Sequence, residues 1–276
     1  MSTDFNPKFL YKNLINDVST ITTFGDGIID NDANKIKLFD RNEEITWASL
    51  GSTTGASRGI IWTPNEPVSF DRIFLQNINW KEFYIYGQLP DGNGQFPNGT
   101  WAQLYSAYNT NENFYINNLS SYSIDYKLSK IKFNILSTFL DGDVVRCGQL
   151  YIGNKILEIP STVGGNVNVN AEVSQFVSKL ADGTAYKNYI RSTRSYSLNL
   201  QGAGLTERES LKKIFDINRY APIVFIPNPA TYPDKWDGLA GHFNIANAPD
   251  YDRYTGNCKI NGYDINMNLV QASGIA

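Results

Sequence analysis

One histidine, two cysteines and two methionines stand in a chain of 276 residues. With His242 alone, any site built from several histidines is excluded. Cys147 and Cys258 lie far apart and cannot by themselves make a four-ligand cysteine site, so they read as buried thiols rather than as a disulfide. Charge is scarce too: 18% of residues are charged, against about 25% in an ordinary soluble domain. The net charge of -3 gives no reason to expect a nucleic-acid partner. No apolar run approaches the ~18 residues of a membrane span, and "MSTDFNPKFLYKNLIND" has neither a long apolar stretch nor a small-residue cleavage site. Neither a signal peptide nor membrane insertion is expected. "NGT" (98–100) and "NLS" (118–120) match the glycosylation pattern, which means little without secretion.

What the chain has in quantity is aromatic side chains: 17 Tyr, 15 Phe and 5 Trp. From about residue 20, short apolar runs alternate with Asp-Gly, Asn-Gly, Pro-Asn and Gly-Asn turns. "KIKLF" (35–39), "RGIIWT" (58–63), "FDRIFL" (70–75), "EFYIYG" (82–87), "KIKFNIL" (130–136) and "VRCGQLYIG" (145–153) are strand candidates, and "GQLPDGNGQFPNG" (87–99) is a long polar loop. Spacing of this kind indicates a β-sandwich. The N-terminal "FLYKNLIN" is weakly helix-like.

Beyond Pro160 the rhythm changes. "GNVNVNAEVSQF" (165–176) and "YIRSTRSYSLNL" (189–200) read as strands, as do "PIVFIP" (222–227), "AGHFNI" (240–245) and "YDINMNLVQA" (263–272). Between them, Thr206 and Glu209 match a capping box, and Leu211, Ile214 and Phe215 recur at helical spacing, which predicts a helix over about 207–217. The expected fold is mainly β. It comprises an N-terminal arm (1–15), an antiparallel jelly-roll-like sandwich (16–155) and a smaller β-rich domain with one helix (156–276).

Candidate chemistry is thin. "LFDRNEEITWASLG" (38–51) gathers Asp40, Glu43 and Glu44 ahead of Trp47, yet nothing in the spacing of these acids and Glu82 selects a catalytic pair. The stretch reads as a turn entering a sandwich, with Asp40 capping its own backbone and Trp47 in the core. Neither a nucleophile elbow nor a phosphate-binding loop occurs. "DGIIDNDAN" (26–34) offers Asp26, Asp30, Asn31 and Asp32 either to a calcium ion or to turns and caps. Trp62, Trp80, Trp101, Tyr84 and Tyr86 could supply a platform that stacks on sugars, although Trp101, like Trp47, reads as core. Trp80 and Tyr84 are the contact candidates. Arg191 and Arg194 suit ion pairs at a subunit interface, and Trp236, in the turn-like "YPDKWDG", suits interface packing. No catalytic residue, metal site or cofactor is assigned.

Two resemblances organise these readings. Residues 16–153 resemble the discoidin, or coagulation-factor C-type, group of galactose-binding-like sandwiches. The carriers, in order, are "LFDRNEEITWASLG", "RGIIWTPNEPVSFDRIFLQN", "KEFYIYG", "LSKIKFNIL" and "VRCGQLYIG". Arg41 stands where that group commonly has Gly, and Gln149 where its closing strand usually has Glu. Residues 148–272 resemble parts of bacteriophage tail proteins through "LYIGNKILEIP", "KNYIRSTRSYSLNLQGAGLTERESLKKIFDINRYAPIVFIPNP" and "NGYDINMNLVQA". Together the resemblances imply a virion component at the tail tip, baseplate or fibre attachment. It would be assembled in the bacterial host cytoplasm, as a ring-forming homo-oligomer among other tail proteins and with a surface glycan as a further partner. The alternative they imply is a lectin-like carbohydrate-binding module serving receptor recognition.

Overall fold

The computed structural model describes residues 6–25, 31–40, 46–49, 57–89, 99–117, 119–159, 164–179, 185–227, 241–247, 250–253 and 262–272. Along the chain run β1 (Lys8–Leu10), β2 (Ile21–Phe24), α1 (Asp32–Lys35), β3 (Trp47–Ala48), β4 (Arg58–Trp62), β5 (Arg72–Gln76), β6 (Trp80–Gln88), β7 (Trp101–Tyr108), β8 (Phe114–Ile116) and α2 (Ser121–Asp125). Then follow β9 (Lys130–Thr138), β10 (Arg146–Cys147), β11 (Gln149–Gly153), β12 (Lys155–Glu158), β13 (Gly164–Lys179), β14 (Ala185–Ala203), α3 (Leu205–Asn218), β15 (Ile223–Ile226), β16 (Gly241–Ile245), β17 (Asp250–Arg253) and β18 (Tyr263–Gln271). Among the described residues every strand pairing is antiparallel.

The sandwich expected from the sequence is there. A five-stranded sheet, β2-β4-β9-β6-β7, faces a three-stranded sheet, β11-β5-β8, with the short β10-β3 pair alongside. Period-2 alternation sets which face is buried. In β6 and β9 the inward set Phe83, Ile85, Ile131, Phe133 and Ile135 joins Trp47, Trp62, Trp80, Leu75 and Leu150 in one core. Trp80 lies against Phe83 and Phe133, with ring centroids 5.6 and 6.2 Å away.

The second unit is a large sheet in the order β12-β1-β15-β16-β18-β14-β13, with β17 also paired to β18. Helix α3 covers one face, burying Leu211 and Ile214 against Phe9, Tyr196, Phe225, Phe243 and Leu269. The helix is one turn wider than the sequence indicates. It starts at Leu205 behind Gly204, with no side-chain cap from Thr206, while Glu209 accepts from Arg208 at 2.8 Å. The capping-box expectation fails here.

Two further expectations are corrected. The N-terminal segment is not a helix-like arm. Its Lys8–Leu10 form a strand inside the large sheet, between β12 and β15. Phe9 and Leu10 are buried on opposite sides of that strand, so pairing and burial override a helical pattern too short to stand alone. Residues 35–39 are not a strand either. Asn31 caps α1 by accepting from Asn34 N, a 3-10 turn (Ile36–Leu38) follows, and Asn34 bonds the backbone of Ala48 in both directions.

After β1 the chain leaves the large sheet and runs along the sandwich. Asn13 is the clamp: its amide donates to Leu150 O at 2.8 Å, and its carbonyl oxygen accepts from Ile15 N and Ile152 N. Leu10, Val224 and Ile226 from the large sheet meet Phe74, Tyr115 and Tyr151 from the sandwich in a small shared cluster.

Candidate functional site

Directly opposed residues of an antiparallel ladder share a face. In the five-stranded sheet this puts Phe24, Gly59, Asn134, Tyr84 and Ser106 in one row across the outer face. Thr22, Ile61, Lys132, Tyr86 and Gln103 form the next row, and Lys130, Gln88 and Trp101 a third. The alternation that sinks Phe83 and Ile85 into the core lifts Tyr84 and Tyr86 to this surface, where both are half-buried. Their rings lie 6.2 Å apart, centroid to centroid, and 31° from parallel.

Polar groups surround the two rings. Asn134 sits opposite Tyr84 and bonds Ser57 Oγ through Oδ1. Gly59 must be glycine, because a Cβ there would collide with the carbonyl oxygen of Phe133; its place in the first row is left without a side chain. Lys132 reaches across β4 and holds its Nζ 4.6 Å from the Phe24 ring centroid, a cation–π contact. At the far end of the face, Tyr84 OH donates to Glu82 Oε1 at 3.3 Å. The Glu82 carboxylate, with some loss of solvent, pushes the Tyr84 phenol above its ordinary value.

The residues singled out from sequence are dispersed. Tyr84 belongs to the outer face. Trp80 does not: it is wholly buried and is a core residue, because β6 starts with its inward set. Trp101 reverses the opposite expectation. It lies on the edge strand β7 and is 39% exposed rather than core. Arg194 is 1% exposed within its own chain, with its guanidinium 5.9 Å from the Phe243 ring, so it is not poised on a free surface. Arg191 is on β14, paired with Ser174, and its side chain lies outside the described residues, as does Trp236.

Of the calcium candidates, Asn31 serves as the α1 cap and Asp32 pairs with Lys35 at 3.1 Å. Asp26 and Asp30 lie outside the described residues. Among the described residues no cluster of His, Cys, Asp and Glu is placed to hold a metal ion. Asp40 accepts from Gln149 Nε2 at 3.0 Å. Glu43 and Glu44 lie outside the described residues. Cys147 is a buried free thiol, and its burial raises its pKa far above the ordinary value. His242 is buried with its ring 5.0 Å from that of Tyr151; Cys258 lies outside the described residues. No described helix is long and apolar enough to cross a membrane.

Lys130, Lys132, Asn134, Gln88 and Gln103 are not among the residues picked from sequence. The signal is present all the same: in "KIKFNIL" the residues between Ile131, Phe133 and Ile135 are by necessity the outward ones.

No protein-family model matches the sequence, and no curated protein matches it. Among solved structures, the chain is similar to a chitosan-binding module from a chitosanase/glucanase of Paenibacillus sp. IK-5, at 11% identity and a TM-score of 0.37 over 51% of this chain and 98% of that one. It is also similar to an F5/8 type C domain from Bacteroides fragilis, at 12% identity and a TM-score of 0.36 over 56% and 99%. A GH29 fucosidase of Ruminococcus gnavus matches at 14% identity and a TM-score of 0.39 over 52% of this chain; the match spans 26% of the fucosidase.

Proposed function

We propose that this chain is a glycan-binding protein without a catalytic step, and that its contact surface is the outer face of β6, β7 and β9. The observation that carries this reading is the Tyr84–Tyr86 pair, two rings 6.2 Å apart and tilted by 31° to each other on a sheet face. A sugar ring is apolar on its C–H faces and polar around its rim. Aromatic faces stack on the former, and the amides of Asn134, Gln88 and Gln103, placed in the neighbouring ladder positions, suit the latter. Cys147 and His242, two side chains that could start chemistry, are held in packing instead. The test is binding of the intact chain to a glycan array, repeated with Tyr84→Ala and Tyr86→Ala. Each variant is expected to lose saturable binding by tenfold or more with its unfolding midpoint unchanged. Undiminished binding by the folded double variant would overturn the reading.

A second reading, as a structural component of a bacterial virus tail, draws on a different feature. The β13–β14 hairpin pairs from Gly164–Gln201 to Lys179–Ala185, with one register shift between Ser174 and Gln175, but β18 covers β14 only from Ser195 onward. Residues 171–179 and 185–194 thus continue as a two-stranded ribbon for about 30 Å, with no third strand among the described residues. An isolated two-stranded ribbon is at best marginal in water, and a neighbouring subunit would complete it. Imaging of assembled particles should place the protein in defined tail density as a ring. A strictly monomeric protein that is absent from particles would end this reading.

A further inference from the structure

The outer face carries more than rings and amides. Two lysines stand together at one end of its ladder: Lys132 is directly opposite Tyr86, and Lys130 directly opposite Gln88, one step along β9. Neither lysine forms an ion pair with a described carboxylate. Lys132 is instead braced on Phe24, a contact that fixes its position without neutralising its charge. The acid among the described residues of these rows, Glu82, lies at the other end, beyond Tyr84. Its neighbour Lys81 there holds its Nζ 5.6 Å from the Tyr108 ring. Among the described residues of these rows the charge balance is therefore even at the Glu82 end and positive at the Tyr86 end, although the chain as a whole is acidic, at -3.

We propose that the Tyr86 end of this face selects an acidic polysaccharide, one bearing carboxylates on its sugar rings. The inference rests on the glycan-binding reading above. Directly opposed side chains start from Cβ atoms about 5 Å apart. Lys132 turns its ammonium away from Tyr86, across β4 to Phe24, so the polymer is placed across the strands. A sugar stacked on Tyr86 has Lys130 and Gln88 in the next row, and a neighbouring unit lying over β9 and β4 brings its carboxylate to Lys132. A polymer with a carboxylate on every ring fits this arrangement, because each unit then carries both a stacking surface and a charge. In a phosphodiester-linked polymer the charge sits between the units instead. Ammonium groups on a partly solvated face act as point charges, so the preference should weaken as salt rises.

The experiment compares the intact chain binding polygalacturonate, fully methyl-esterified polygalacturonate and poly(glycerol phosphate), at low and high salt. Polygalacturonate is expected to bind at least tenfold tighter than its ester at low salt, with the gap closing at high salt. Lys132→Gln and Lys130→Gln should shrink the gap by weakening polygalacturonate binding more than ester binding, Lys132→Arg should restore it, and Tyr86→Ala should remove binding to both. Equal binding of acid and ester would overturn the acidic selectivity and leave glycan binding standing. Binding of poly(glycerol phosphate) as tight as polygalacturonate and indifferent to Tyr86→Ala would overturn it too, by showing a patch that reads charge alone. Absence of binding to any glycan, on these polymers and on the array, would remove the underlying reading as well.

Discussion

Gln149 donates from Nε2 to Asp40 Oδ1 at 3.0 Å and to Lys37 O at 3.2 Å, joining two residues 109 positions apart. Gln149 is fully buried on β11. An acid in its place would face a carboxylate, which explains why an amide stands there. We predict that Gln149→Glu destabilises the fold by about 1–3 kcal/mol at pH 7, through buried like charge and a lost donor. The introduced carboxyl would have a raised folded pKa, so the penalty is full above it and is relieved as pH falls and the group protonates. Urea unfolding at pH 7 and pH 5 checks both the size and the sign.

Asn13 makes three hydrogen bonds, two of which tie the first strand's continuation to β11 while the third accepts from Ile15 N. Asn13→Ala leaves Leu150 O and two backbone N–H groups without this partner in a buried place. A loss of about 2–4 kcal/mol is expected, visible as a lower urea midpoint with an unchanged slope.

Glu158 is the charged partner of the N-terminal strand. Partial burial pushes its carboxyl up, but hydrogen bonds from Lys155 and Asn6 and the charges of Lys8 and Lys155 outweigh this and hold it at about 2. Lys8 is buried, with Nζ 3.0 Å from Asn6 O and 3.7 Å from Glu158. A depressed folded pKa gives stability that is present above the unfolded value of about 4.3 and lost as pH falls towards 2. Glu158→Gln should flatten the acid limb of stability between those values. An acid limb as steep as that of the wild type would contradict the assignment.

Trp80 and Tyr84 separate packing from contact. Trp80→Ala empties a site between Phe83 and Phe133 and should cost about 3–5 kcal/mol. Tyr84→Ala on the outer face should leave thermal unfolding nearly unchanged and weaken glycan binding. Parallel melting and binding curves for the two variants check the contrast.

How much of this is legible in the sequence depends on range. "EFYIYG" and "KIKFNIL" announce strands because each alternates inward and outward residues on its own, and both form as read. "KIKLF" has the same local pattern and forms helical turns, because the Asn31 cap and the Asn34 bonds to Ala48 decide it. Lys8–Leu10 becomes a strand only through partners about 150 and 215 residues away, which no local period reveals. The candidate site divides similarly. Tyr84 can be read from β6, but its company with Lys132, Asn134 and Gln103 appears only once the register between β6, β7 and β9 is fixed. Trp101 reads as core by residue type and is exposed because β7 ends its sheet.

The measurement that tests the central claim most directly is a solution NMR titration of the intact chain, with labelled tyrosine rings, against polygalacturonate oligomers. Glycan binding on the outer face predicts saturable shifts of the Tyr84 and Tyr86 rings, with the buried rings of Tyr151 and Tyr196 unmoved. A glycan that binds while the Tyr84 and Tyr86 resonances stay in place would contradict it.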